Sequence, residues 1–323
     1  MTGVGSTEPA SSGGGGFAGA GAGTNKPARY ASWTAGKLPL PELMEMKRRG
    51  EKIVMVTAYD APSGRLADAA GVDLILIGDS SGMVMHGRES TVPVTLDEIL
   101  FMTQWVTRGA KRPLVIADMP FGSYEASNEQ AVVNAVRLVK EGGADAVKLE
   151  RGGTSIARAQ AIADAGIAVM GHVGLTPQTA TVLGGFKAQG RTADRAQQLI
   201  EDALALQEAG CFAVVLEAVP PPVARRVTQA LAVPTIGIGA GGDTDGQVLV
   251  WHDMLGYYEG HAPRFVKRYA ELGDAITDAL GRFAQEVRSG AFPEEQHTYK
   301  MPDDERAAFE AALAGATATS RER

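Results

Sequence analysis

From residue 53 onward the chain alternates two patterns. Short unbroken apolar runs end at Gly, Pro or an acid, and between them lie longer segments with apolar residues every three or four positions. The run Leu74–Ile77 (LILI) is too short for a core helix and too continuous for a half-exposed strand. It reads as a strand covered on both faces, the usual state in a parallel sheet. The same reading predicts strands over 53–60, 113–120, 145–150, 168–174, 212–219 and 234–241, with VLVWHDML at 248–255 as the eighth.

The intervening segments predict helices. One carries Leu43, Met44 and Met46, stops at Gly50 and precedes the first strand, so it is expected to plug the floor of a barrel. Others cover 62–70, 154–165 and 223–232, and 265–288 reads as one or two further helices. Thr95 with Glu98, and Ser127 with Gln130, form capping boxes. Val132, Val136 and Val139 predict the buried stripe of the helix after Ser127, which Gly142 and Gly143 close. Thr192 caps a helix with Ala196, Leu199, Ile200, Ala203 and Leu206 on one face. Strand and helix repeated about eight times predict a closed (β/α)8 TIM barrel of the α/β class. An open Rossmann-like sheet is the runner-up, but no strand leads into G-x-G-x-x-G with the acid that motif requires.

The barrel is expected over 32–300, behind a Gly/Ala-rich leader of residues 1–31 and ahead of a tail at 301–323 that ends frayed. The leader has too few large side chains to offset its ordering entropy and is expected to be disordered. A net charge of −7 argues against nucleic acid or an anionic membrane as the main partner. No apolar stretch is long enough to span a bilayer. The single Cys211 cannot form an internal disulfide and fits a reducing cytoplasm; at the start of an apolar strand it reads as core.

Charge matters most at the strand ends. Asp79, Asp118, Lys148, Glu150, His172 and Glu217 all fall at carboxyl ends, where parallel barrels keep their chemistry. Asp79 and Asp118 end adjacent strands, and like charges so placed favour a cation between them. Oxygen ligands suit Mg2+, with Glu150 completing the shell directly or through water. The plainer alternative has each acid capping a helix or pairing with a rim lysine. Lys148 shares a side with Glu150 and suits a substrate carboxylate; its rival roles are a Schiff base or an internal ion pair. Glu217, across from the aspartates, is placed to act as general base. His172 would orient substrate, and Ser80 would touch it through its hydroxyl or N–H. GIGAGG at 237–242 suggests either a phosphate loop or a tight chain path.

These residues sit in TAYD (57–60), GDSSGM (78–83), STVPVTLDE (90–98), ADMPFGSY (117–124), VKLE (147–150), GHVGLTPQ (171–178), GGFKAQGR (184–191), VLEAVP (215–220) and GIGAGGDTDGQVLVWHDMLG (237–256). In that order the motifs resemble the ketopantoate hydroxymethyltransferase family over about residues 33–300. The resemblance implies Mg2+ on Asp79 and Asp118 with Glu150 in its shell. It implies keto-acid contacts from Asp79, Ser80, Asp118 and Lys148 with His172 near, and Glu217 as proton acceptor. It further implies 3-methyl-2-oxobutanoate as substrate, 5,10-methylenetetrahydrofolate as one-carbon donor, 2-dehydropantoate as product through a Mg-stabilised enolate, and a homo-oligomer such as a decamer. Arg151 stands where the family often has Gly, and Ser81 where it often has Leu. The alternative is a carbon–carbon lyase or phosphonomutase of the related enolate-forming barrels, against which Cys211 lies at the wrong end of its strand.

Overall fold

The computed structural model describes residues 36–258, 260 and 263–320. The leader expected over 1–31 lies outside the described residues. Eight strands run parallel: β1 Ile53–Thr57, β2 Leu74–Ile77, β3 Leu114–Asp118, β4 Ala146–Lys148, β5 Ala168–Gly174, β6 Ala213–Glu217, β7 Thr235–Ile238 and β8 Gly246–Leu249. They pair in chain order, and β8 closes on β1. The TIM barrel expected from the alternation is therefore the fold.

The period of two along each strand sorts the side chains. Leu74, Leu76, Leu114, Ile116, Ala146, Met170, Val215, Ile236 and Val248 share one core inside the barrel. Their neighbours Ile75, Ile77, Val115, Val147, Val169 and Val214 are equally buried, on the side the helices cover. The helices are α1 Leu40–Arg49, α2 Ala61–Ala70, α3 Ser81–Val84, α4 Leu96–Gly109, α5 Asn128–Lys140, α6 Thr154–Asp164, α7 Ala193–Glu208, α8 Pro221–Ala230, α9 Trp251–Met254, α10 Leu272–Ser289 and α11 Asp303–Ser320. α2 and α4 approach so closely that a Cβ on Gly109 would lie 2.1 Å from the Ala61 carbonyl oxygen.

α1 closes the floor as expected. Leu38, Leu43 and Met46 join Ile53, Met55 and Phe212 in the core, and Lys47 Nζ pairs with Asp245 at 2.7 Å. Cys211 is buried at the floor end of β6.

Several details differ from the sequence reading. α5 buries Ala131, Ala135 and Leu138, not the valine stripe; Val136 is exposed. Alanines let a helix pack closer than valines do, so hydrophobicity alone points one position off. Ser127 caps α5 through the Gln130 N–H, but Gln130 Oε1 accepts from Ala126 rather than returning to Ser127. β8 uses Gly246 to Leu249, and the apolar run beyond it turns into α9. A Cβ on Gly246 would stand 2.5 Å from the Ile53 carbonyl oxygen, so only glycine lets β8 close on β1. The loop after β2 contains the short α3.

Two compact units divide the chain, one of Met1–Trp251 with Ala262–Val266, the other of His252–His261 with Lys267–Arg323. The second unit contains α10 and α11. Leu272, Ile276, Leu280, Phe283 and Val287 recur at helical spacing along α10 and are exposed. α11 runs to Ser320, where a frayed end was expected. Among the described residues, no helix is long and apolar enough to cross a membrane.

Candidate active site

The top layer of the barrel replaces apolar side chains with charge. Asp118 follows Ile116 on the inward face of β3, Lys148 follows Ala146 on β4, and the two stand in register across the sheet. His172 follows Met170 on β5, and Glu217 follows Val215 on β6. Asp79 comes two residues past β2, and its N–H donates to Asp118 Oδ2 at 3.0 Å.

These side chains form one line around the mouth. Lys148 Nζ lies 2.9 Å from Asp118 Oδ1 and 3.7 Å from Glu150 Oε1. His172 Nδ1 lies 3.3 Å from Glu150 Oε1, and its Nε2 lies 3.3 Å from Glu217 Oε2. All are buried except Glu217, which is half-buried. Ser80 sits at the edge, with its hydroxyl 3.0 Å from that of Tyr59.

Two members were missed from sequence. Gln178, in a 3-10 turn at Pro177–Thr179, donates from Nε2 to Asp79 Oδ2 and to the Met119 carbonyl, both at 2.9 Å. Its own N–H donates to Glu150 Oε2 at 3.1 Å, and its Oε1 accepts from the Tyr124 hydroxyl at 2.6 Å. Both residues lie in the quoted motifs GHVGLTPQ and ADMPFGSY. Nothing in their spacing marked them, because a single polar residue in a loop has no periodicity.

Burial works against every charge here, and the neighbours decide the outcome. For Asp79, burial and then the charges of Asp118 and Glu150 push the carboxyl well above the usual carboxylate range, against Lys148 and Gln178. Asp118 is also raised, chiefly by burial, with Lys148 opposing. Glu150 is lowered, because His172 and Lys148 outweigh its burial. Burial and Lys148 push the His172 imidazole down, yet Glu150 and Glu217 prevail and hold it up at about 9. Lys148 is raised by Asp118, Glu150 and Asp79 despite its burial.

Fully ionised, the four carboxyls would outnumber the ammonium and the imidazolium by two charges, the charge a divalent cation cancels; burial and that excess push Asp79 and Asp118 toward their protonated forms. The hard oxygen donors fit such an ion. The expected trio of Asp79, Asp118 and Glu150 stands as neighbours. Among the described residues, however, no three His, Cys, Asp or Glu side chains close into a ready metal cage. Glu150 already gives one oxygen to the Gln178 N–H and the other to His172.

A family model for ketopantoate hydroxymethyltransferase matches residues 37–295. The chain belongs to that family. A relative from Moorella thermoacetica named 3-methyl-2-oxobutanoate hydroxymethyltransferase is 57% identical over 264 residues, 82% of this chain and 98% of its own length. A relative of the same name from Nitratidesulfovibrio vulgaris is 53% identical over 293 residues, 90% of this chain and 95% of its own. Arabidopsis thaliana has a mitochondrial relative, 54% identical, matched over 83% of this chain and 80% of its own. Among solved structures, phosphoenolpyruvate phosphomutase from Streptomyces platensis superposes with a TM-score of 0.53 at 16% identity, covering 88% of this chain and 99% of that one. 2,3-Dimethylmalate lyase gives 0.51 at 16%, covering 85% and 98%. These last two share the fold. The resemblance carried by the motifs is thus borne out as family membership.

Two rival readings lose ground within the ketopantoate hydroxymethyltransferase barrel. The GIGAGG turn follows a tight path: Cβ atoms on Gly239 and Gly241 would meet Phe265 and Pro221. The Cys211 thiol is buried and pushed up to about 12, which leaves no thiolate for catalysis.

Proposed function

We propose that this chain transfers a hydroxymethyl group from 5,10-methylenetetrahydrofolate to 3-methyl-2-oxobutanoate, giving 2-dehydropantoate. The observation that carries the reading is the unbroken line of charge from Asp79 and Asp118 through Lys148, Glu150 and His172 to Glu217. It joins an anion-binding and cation-binding half of the mouth to a carboxylate that can take a proton. Family membership supplies the substrate class.

Asp79 and Asp118 would hold Mg2+, with Glu150 in its surroundings; the ion supplies Lewis-acid polarisation of the keto group. Lys148 keeps its charge among the acids and binds the substrate carboxylate, which also rules against a Schiff base there. Glu217 removes the proton at C3 of the keto acid. His172, as an ion-pair partner 3.3 Å from both Glu217 and Glu150, positions the Glu217 carboxylate from one side of the ring and is itself held by Glu150 from the other. Ser80 contacts the substrate at the edge. The carbanion equivalent that proton removal leaves at C3 forms the new carbon–carbon bond to the donor's one-carbon unit. Both bonds from that carbon to the folate nitrogens break, one water supplies the hydroxyl oxygen, and tetrahydrofolate leaves with the nitrogens reprotonated.

The exposed apolar stripe of α10 supports self-association into a homo-oligomer, a decamer by resemblance. The single unpaired cysteine fits work in the cytoplasm.

The test is solvent deuterium exchange at C3 of 3-methyl-2-oxobutanoate, alongside turnover with the folate donor. EDTA should abolish turnover, and added Mg2+ should restore it. Glu217→Gln should cut exchange by about 10²–10⁴. Unchanged exchange in that variant, or full turnover in EDTA, overturns the reading.

A further inference from the structure

Beside the mouth lies a cleft of about 410 Å³ that none of the acids above lines. It is nonetheless built on their backbone. Arg151 lines it, follows Glu150, and donates its N–H to the His172 carbonyl at 2.8 Å. Gly174, which ends β5, lines it too. A Cβ there would lie 2.3 Å from the carbonyl oxygen of Glu217, its partner on β6, so the cleft wall is continuous with the backbone that carries the charged line.

Three charged side chains line this cleft, and each is placed at a cost. Arg151 adopts φ +82°, the left-handed region that favours glycine. Arg195 stands in the first turn of α7, where a cation opposes the helix dipole. Asp202 is half-buried and takes only a hydrogen bond from Gln198 Nε2 at 3.2 Å. Among the described residues none of the three forms an ion pair with another group. The chain of Gly152 is laid so close that a Cβ would stand 2.3 Å from the Asp202 carboxyl carbon.

One lone carboxylate and two lone guanidinium groups in one cleft define a ligand. It carries an edge of N–H donors for Asp202, carboxylates for the arginines, and a body of the size such clefts admit. Of the two substrates in the reading above, the keto acid has no N–H. A reduced folate has both features: an aminopyrimidinone edge and a glutamate tail. We propose that this cleft seats the one-carbon donor, with Asp202 accepting from the pterin edge and Arg151 and Arg195 holding the glutamate carboxylates. The assignment rests on the function proposed above and deepens it.

The test uses the full chain, with tetrahydrofolate as the binding probe and steady-state kinetics as the second readout. Asp202→Asn should raise the tetrahydrofolate Kd and the donor KM about tenfold or more. The KM for 3-methyl-2-oxobutanoate should stay within about twofold, since no cleft residue is in the charged line. Gly152→Ala, which forces the Asp202 carboxylate to swing away, should act in the same direction without removing a charge. p-Aminobenzoylglutamate, which lacks the pterin, should bind wild type and Asp202→Asn alike but lose affinity in Arg195→Gln. Unchanged tetrahydrofolate Kd in both Asp202→Asn and Gly152→Ala overturns the cleft assignment. Wild type that binds tetrahydrofolate here yet neither exchanges C3 nor turns over overturns the proposed reaction instead.

Discussion

Aspartates stand at both ends of this barrel and are held in opposite ways. At the floor, Asp73, Asp145 and Asp245 each precede a strand. Each accepts a backbone N–H from the strand before it in the sheet: Val54, Val115 and Thr235, all at 2.8 Å. Asp245 also pairs with Lys47. At the mouth, Asp79 and Asp118 share Lys148 and His172 with Glu150 and Glu217, and burial among those acids pushes both aspartate carboxyls upward. A carboxylate tied to a strand N–H and, at Asp145 and Asp245, to a lysine as well stitches strands and has its charge already answered. A carboxylate left in surplus stores unfavourable charge that a ligand can relieve. The same residue type thus serves stability at one end and chemistry at the other.

Exchanging carboxylate for amide at each end breaks the comparison most sharply. Asp79→Asn should lower turnover by about a hundredfold or more, as expected for loss of a charged group in such a site. It should also raise the metal-free unfolding free energy by about 1 kcal/mol, because a buried surplus charge is gone. Asp73→Asn keeps an acceptor oxygen for Val54, so turnover should hold and stability should change by less than about 1 kcal/mol. Turnover assays and denaturant melts of both variants read this directly; equal losses at the two ends would refute the contrast.

Lys148→Met is next. It removes the cation at the centre of the mouth and strands Asp118 and Glu150, so unfolding free energy should fall by about 3 kcal/mol or more. Added Mg2+ should recover part of that loss, measured as a larger rise in Tm than wild type shows.

The smallest effect sharpens the picture of stored cost at the mouth. Arg151→Gly removes a left-handed side chain and should stabilise the fold by about 1 kcal/mol, seen as a Tm higher by a few degrees. If Arg151 serves the cleft, the same variant binds tetrahydrofolate less tightly.

Much of this arrangement was legible in the sequence. Unbroken runs such as LILI and AVVL exist only where both faces are covered, so strands and barrel followed from them. The carboxyl ends of those strands then put Asp118, Lys148, His172 and Glu217 at one mouth, and period two put Lys148 on the side of Glu150. What escaped depends on distances no pattern encodes. Gln178 joins the network only because a short turn folds back over the mouth. The alanine stripe of α5 is set by how closely helices approach. The left-handed φ of Arg151 has no signature in a residue type that rarely adopts it. β8 was placed late because the run VLVW continues past the point where the chain must turn.

Cys211 is the chain's one thiol, buried at the floor end of β6 and protonated well past neutral pH. Maleimides and disulfide reagents will therefore find nothing to modify in the folded enzyme. Any cysteine placed at the rim becomes a single reporting position, ready for a dye or spin label, with no need to engineer the native one away.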